Sequence, residues 1–395
     1  MKDIKILNEK IDRIKDIVIF ISLLSWILIP VFESFVITYK FVYEQKYTLM
    51  KIIGVIGIYA LIYYIYIKLV IKENKKEILR EMMPIIIFLM YMIWTLISCF
   101  NSPNKQLAFF GTEYRKDGYI TYIIYAGFFL CAYLLKSKKI RGILLNVFIL
   151  VSLFLLFASR IWSQHASLIE IFMVNSPEHS IFYQFNHYGY YLTLSLMCCF
   201  GLYITENNKL IKIFYLIAYT LIGYNLILND TWGCYLAVSI TLILFLIWSL
   251  IKKQYRIVTI IAITVFIILS CVVTKNEQNI VSKNLSTFMF DIKSVASKIT
   301  GINFNDGEDI EKNFDRAGTG RMILWRYGFQ FLLESPIIGY GPENLEEKYE
   351  KLGVNQDRPH NLLIQLATTS GIPGMMLYVT AVRNNCYKRD KTIKK

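Results

Sequence analysis

Long apolar runs separated by short polar, often basic bursts set the pattern of this chain. Ten runs stand out, at residues 17–39, 52–71, 82–100, 119–135, 142–158, 188–205, 210–228, 234–251, 257–273 and 361–381. A helix needs about 20 mostly apolar residues to cross a bilayer, so each run predicts a spanning helix. Only Asn229, Asp230, Thr231, Trp232 and Gly233 separate the seventh run from the eighth, which predicts a tight helical hairpin with those residues at its tip. The tenth run is the weakest, because Thr368, Thr369, Ser370, Gly371, Pro373 and Gly374 interrupt it. The first run is too long for a signal-peptide core and lacks a small-residue cleavage site after it, so it predicts a retained helix. Between the ninth and tenth runs, MFDIKSVASKI and RMILWRYGFQFLLE carry apolar residues at helical spacing, and Pro336 with the PIIGYG glycines ends the second helix. NFNDGEDIEKNFDRAGTG is polar and glycine-containing and reads as loop.

Composition agrees. Of 395 residues, 55% are hydrophobic and only 18% charged, which excludes an ordinary soluble enzyme. The net charge of +14 does not indicate nucleic acid, because Lys and Arg fall in bursts between apolar runs instead of on one soluble face. With the amino terminus cytoplasmic, inside segments hold 24 Lys or Arg against 7 in the short outside loops. That bias predicts a multi-pass protein of the cytoplasmic membrane with both termini inside. The expected fold is an all-α polytopic membrane protein of about ten transmembrane helices, with a large helical extracytoplasmic loop before the last one. Its parts are a bundle at 1–273, a cap at 274–360, and a last helix with a basic tail at 361–395. Long connections of this kind usually carry function. The cysteines lie in or beside apolar runs or in the basic tail, with no disulfide framework or zinc-type pairing. The few charges within spans, chiefly Glu33 and Lys68, lie toward helix ends, where snorkelling is easy.

Under this topology all four histidines, His165, His179, His187 and His360, face outside. The first three also fit the ordinary tendency of histidine to collect in loops. His360 differs in its neighbours: Arg358 stands two residues back, Pro359 restricts the backbone, and a glycine-containing helix follows. An imidazole at a wet helix entrance can take a proton from a hydroxyl at neutral pH. Outer-side Arg115, Arg160, Arg316, Arg321, Arg326 and Arg358 could clamp phosphate oxygens in bidentate fashion. Pairing with loop carboxylates, or contact with anionic lipid, is the better explanation of each arginine taken in isolation. Tyr and Phe near span ends read as interfacial anchors.

Several of these residues together resemble a known family. HNLLIQLATTSGIPG is similar to the signature of the O-antigen ligase and polymerase superfamily, with His360 and Asn361, nine residues, then Gly371 and Gly374. TGRMILWRYGFQFLLESPIIGYGPENL resembles the stretch upstream of that signature, through Gly320, Arg321, Trp325, Ser335, Pro336, Gly339 and Gly341. GTEYRKDGYITYIIY is similar to a further segment of Gram-positive members, at Arg115 and Gly118. The resemblance implies a metal-independent, cofactor-free, inverting glycosyl transfer outside the cytoplasmic membrane, within cell-envelope polysaccharide biosynthesis. The donor would be a polyprenyl-pyrophosphate-linked glycan such as one on undecaprenyl pyrophosphate, and the acceptor a glycan or lipid hydroxyl, by ligation or by repeat-unit polymerisation.

It further implies His360 as base, with Arg321, Arg115, Arg358 and Arg160 about the pyrophosphate. Trp325, Asn361, Gly371 and Gly374 would shape the site, the two glycines by permitting close backbone or lipid approach. Two departures stand out: Thr231-Trp232-Gly233 replaces the Ser-Arg-Gly of many relatives, leaving Arg160 or Arg115 to substitute, and the chain ends 21 residues after Gly374. A transporter or flippase of lipid-linked glycans and an inactive truncated relative are the competing expectations.

Overall fold

The computed structural model describes residues 2–35, 39–70, 75–164, 179–182, 184–275, 278–305 and 309–393. The elements run α1 (Lys2–Glu33), α2 (Tyr39–Val70), α3 (Lys75–Phe100), α4 (Lys105–Phe110), α5 (Tyr119–Leu134), α6 (Lys138–Gln164), α7 (Phe185–Thr205), α8 (Lys209–Leu228), α9 (Trp232–Lys252) and α10 (Arg256–Val272). A two-residue ladder of β1 (Thr274–Lys275) and β2 (Gln278–Asn279) follows, then α11 (Ile280–Thr300), α12 (Ile310–Glu334), α13 (Glu346–Glu350) and α14 (Leu362–Ile393).

Each of the ten apolar runs coincides with a helix, and the protein is an all-α polytopic membrane protein. Among the described residues seven helices are long and apolar enough to cross a membrane: Glu9–Glu33, Glu44–Val70, Ile78–Phe100, Lys138–Arg160, Lys209–Leu228, Trp232–Lys252 and Leu362–Asn384. Tyr119–Leu134 and Arg256–Val272 are shorter apolar helices. Leu210, Leu244 and Ile257 stand exposed on such helices, as lipid-facing side chains do. The charges at the span ends are paired, Glu33 with Lys46 and Lys68 with Glu81.

The chain forms two compact units. One comprises Asp16–Met50 and Lys136–Thr287, and its core gathers Tyr188, Leu192, Leu196, Tyr219 and Ile222 from α7 and α8 with Val238 and Ala262 from α9 and α10. The α8 to α9 connection is a short turn in which Asn229 donates from its amide to the Phe185 carbonyl at 2.9 Å.

The other unit comprises Met1–Lys15, Lys51–Leu135 and Phe288–Lys395, and holds α3, α4, α5, α12, α13 and α14. Its centre is a broken helix. At Gly371 the α14 backbone leaves helical geometry, with φ at +70° and ψ at 173°. A break inside an apolar helix frees carbonyls that must find other donors. Pro373 has no N–H to give the Thr369 carbonyl, and Gly341 N donates to it instead at 2.8 Å. Ile372 N turns away to Pro336 O at 2.8 Å, and Tyr340 N satisfies Thr368 O at 2.9 Å. From α3, the Trp94 indole donates to Ser370 O at 2.9 Å, and the Ser98 hydroxyl donates to Ile338 O at 2.6 Å. Residues 336–341 and 368–372 therefore dock through their backbones. A Cβ on Gly371 would stand 1.9 Å from Ile337 O, so this position admits only glycine.

One loop expectation is corrected. Within NFNDGEDIEKNFDRAGTG, residues 310–316 are helical and form the first part of α12. Asp309 caps them by accepting from Glu311 N at 3.3 Å. Ion pairs then hold the polar segment: Glu311 with Lys298, and Arg326 with Asp315 at 3.0 Å. Polarity signalled loop, but the cap and these tertiary pairs outweigh it.

Candidate functional site

The site is built where α14 begins. Asn361 accepts from Leu363 N at 3.0 Å and from Ile364 N at 3.2 Å through its side-chain oxygen, so it caps the helix start. Directly before it, His360 has a φ of +49°. That left-handed conformation costs a non-glycine residue about 1–2 kcal/mol and is held by buried Pro359 on one side and the Asn361 cap on the other. The ring is exposed, and its Nε2 lies 3.1 Å from Gln356 Oε1. In the tautomer that donates from Nε2 to that oxygen, the Nδ1 lone pair is the basic site. Packing around the ring, then the positive charges of Arg321, Arg358 and Arg115, hold its pKa below the ordinary imidazole value. The shift favours the neutral ring, the form that can accept a proton.

Arg358 lies in a lattice of carboxylates. It donates to Glu343 Oε1 at 2.7 Å, to Asp357 Oδ2 at 2.9 Å, and to Asp117 Oδ2 at 3.4 Å. Glu343, with a side chain only 6% exposed, also accepts from the Thr112 hydroxyl at 3.2 Å. Arg115 pairs with Asp357. Gly111 and Gly118 meet back to back to close the loop that carries Arg115 and Asp117, and Asn104 N donates to Asn344 Oδ1 at 3.0 Å. Burial pushes the Asp117 carboxyl up, against the pull of Arg358. Two of the expected phosphate ligands are thus already satisfied by acids.

Arg321 stands differently. Residues 317–320 leave helical geometry, Gly318, Thr319 and Gly320 all having positive φ, and the helix restarts at Arg321. The positive end of a helix dipole and a guanidinium consequently coincide. Gly318 N donates to Asp291 at 2.9 Å and fixes the turn. Arg321, Leu324 and Gly328 share one helix face. Gly328 is packed so tightly that a Cβ there would lie 2.7 Å from Ile364 and 3.5 Å from Pro359. That contact brings the Arg321 face toward His360, whose imidazole feels its charge. Among the described residues Arg321 forms no ion pair or hydrogen bond. Trp325, one turn on, packs with Leu324, Phe331, Leu345 and Tyr349, and its buried indole N–H has no partner among the described residues. Gly374 abuts Ser370 and Trp94, and with Gly371 it serves the helix break.

Arg160 belongs to the other unit, where it donates to the Tyr224 hydroxyl at 2.8 Å and lies over that ring. His179 and His187 are also there, beside Phe185 and Tyr190 respectively, and His165 lies outside the described residues. Between α3, α5 and α14 runs an apolar cavity of about 460 Å³, walled by Phe88, Tyr91, Tyr122, Phe129 and Tyr378, with Asp117, Arg358 and Gln365 where α5 and α14 begin.

Residues 217–379 match the family described as O-antigen ligase. Over this stretch the chain is similar to the O-antigen ligase family. Neither curated proteins nor solved structures gave a match. The O-antigen ligase region contains His360, Arg321, Trp325, Arg358, Asn361, Gly371 and Gly374, while Arg115 and Arg160 precede it. The family is a glycosyltransferase-like group of ligases and polymerases, and it implies a lipid-linked glycan substrate in a membrane setting.

Sequence reasoning missed Gln356, Asp117, Glu343 and Asp357. Asp117 and Asp357 adjoin the arginines in RKD and QDR, a visible hint of pairing. Gln356 and Glu343 carried no such signal.

Proposed function

We propose that this chain transfers a glycan from a polyprenyl-pyrophosphate carrier to an acceptor hydroxyl, as a ligase or a repeat-unit polymerase, on the outer side of the cytoplasmic membrane. The observation that carries the reading is the exposed His360 imidazole, its Nε2 against Gln356 and its pKa lowered in part by the charge of Arg321, which has no acidic partner among the described residues. The basic bias of the polar segments supports both termini inside, with the 274–360 segment and His360 outside.

In the proposed step, the acceptor O–H gives its proton to Nδ1 of His360 while its oxygen attacks the anomeric carbon. The bond from that carbon to the pyrophosphate oxygen breaks, and the electron pair leaves on the pyrophosphate. Arg321 and the helix end beneath it stabilise the growing negative charge. Pyrophosphate departs as an anion, so the step needs no strong acid. The aromatic-walled cavity between α3, α5 and α14 suits an isoprenoid tail, with its polar end at the level of His360. Trp325 and Asn361 act by packing α12 and by starting α14.

Lipid-intermediate profiling of cells carrying His360→Ala tests this. The expected result is loss of the transferred glycan with donor accumulating on the outer leaflet. Accumulation on the inner leaflet contradicts the reading and identifies a transporter instead.

A further inference from the structure

A second cavity, of about 330 Å³, is lined by both members of the Arg115 and Asp357 ion pair, neither of which lines the apolar one. Its volume lies at the low end of small-molecule sites, which start at roughly 300 Å³. Its walls include carboxylates from Glu343, Glu346 and Asp357, amides from Asn355 and Gln356, and the Arg115 guanidinium. Side by side, amides and carboxylates can both donate to and accept from adjacent hydroxyls. Tyr114, 63% exposed, offers an aromatic face on the same wall.

Charge decides between occupants. Of the three wall carboxylates, Glu343 and Asp357 are paired with Arg358 and Arg115, and Glu346 has no ion pair among the described residues. The cavity therefore presents unmatched negative charge that disfavours a pyrophosphate or a sugar carrying a carboxylate. Position decides the role. Gln356 lines the cavity and its Oε1 lies 3.1 Å from His360 Nε2, so the cavity and the imidazole have Gln356 as a common neighbour. We infer that this cavity is the acceptor subsite, taking a saccharide that is neutral or amine-bearing and rejecting a carboxylated one. The inference rests on His360 being the base of the proposed transfer, and it adds the chemical class of the acceptor.

Full-length protein in nanodiscs is tested by ligand-observed NMR with maltotetraose, chitosan tetrasaccharide and tetragalacturonic acid. The neutral and amine-bearing probes are expected to bind, and the acid to bind about tenfold more weakly or worse. Glu346→Gln should narrow that gap and Glu346→Lys should close or invert it, while Asn355→Trp, which fills the cavity, should abolish binding. Equal or preferred binding of the acid, indifference to Glu346→Lys and Asn355→Trp, or no binding of any probe overturns the subsite. Transfer by His360→Ala is a separate readout. If transfer survives there while the probes bind as expected, the proposed reaction falls and the saccharide site stands; if transfer is lost but no probe binds, the reverse holds.

Discussion

Arg358 and Arg321 both bring positive charge to His360, but they arrive in opposite electrostatic conditions. Arg358 is held by Glu343, Asp357 and Asp117 and is mostly buried, so its charge is spent on joining the 111–118 loop and the 343 region to the start of α14. Arg321 begins a helix segment after a left-handed turn and has no acidic partner among the described residues. A pyrophosphate approaching Arg358 must displace carboxylates, whereas one approaching Arg321 meets an open guanidinium and the positive end of a helix. Proximity to the imidazole therefore does not make an arginine a ligand. What counts is whether its charge is already matched.

The widest separation between the two arginines should appear in stability. Arg358→Ala leaves Glu343 buried without its partner and should cost about 3–5 kcal/mol, read as a lower melting temperature of the purified protein. Arg321 is half-buried but has no ion pair or hydrogen bond among the described residues, so Arg321→Ala should shift the melt by about 1 kcal/mol or less. Comparable melts for the two variants would break the comparison.

Next in size is catalysis. Folded Arg321→Ala should lose about 10²- to 10³-fold in transfer rate, the usual effect of removing a group that stabilises transition-state charge. Retained activity would mean that the paired arginines hold the leaving group after all. Arg115→Ala is expected to be milder, because its pair with Asp357 is partly exposed, and should cost about 1 kcal/mol or less in stability.

The smallest effect is on pH dependence. Since the His360 pKa lies below its ordinary value, the acid limb of the transfer rate should fall below the usual imidazole range. Removing the Arg321 charge in Arg321→Gln relieves one cause of that lowering, so the limb should move to higher pH. A limb that stays in place would place Arg321 too far from the imaginable proton acceptor at His360 to matter electrostatically.

The helices were legible because lipid demands long apolar runs, and every run did become a helix. His360, Arg321 and the glycines stood out in the sequence only through their resemblance to the family signature. The charge state of each arginine could not be read there. Glu343 and Asp117 reach Arg358 across 15 and 241 residues, pairings that appear only once α14 breaks at Gly371 and docks on 336–341. The same break explains Gly371 and Gly374, whose spacing suggested room beside a substrate but whose contacts are with backbone and with Trp94. Residues 310–316 were misread as loop because composition does not reveal a cap at Asp309 or ion pairs to Arg326 and Lys298.

The central claim is that the His360 imidazole takes the acceptor proton. Transfer by purified wild-type and His360→Ala protein, from a polyprenyl-pyrophosphate-linked glycan in proteoliposomes, tests it most directly. With equal melts for the two proteins, the account predicts a rate loss of about 10²- to 10⁴-fold in the variant with donor binding retained. An unchanged rate would contradict it.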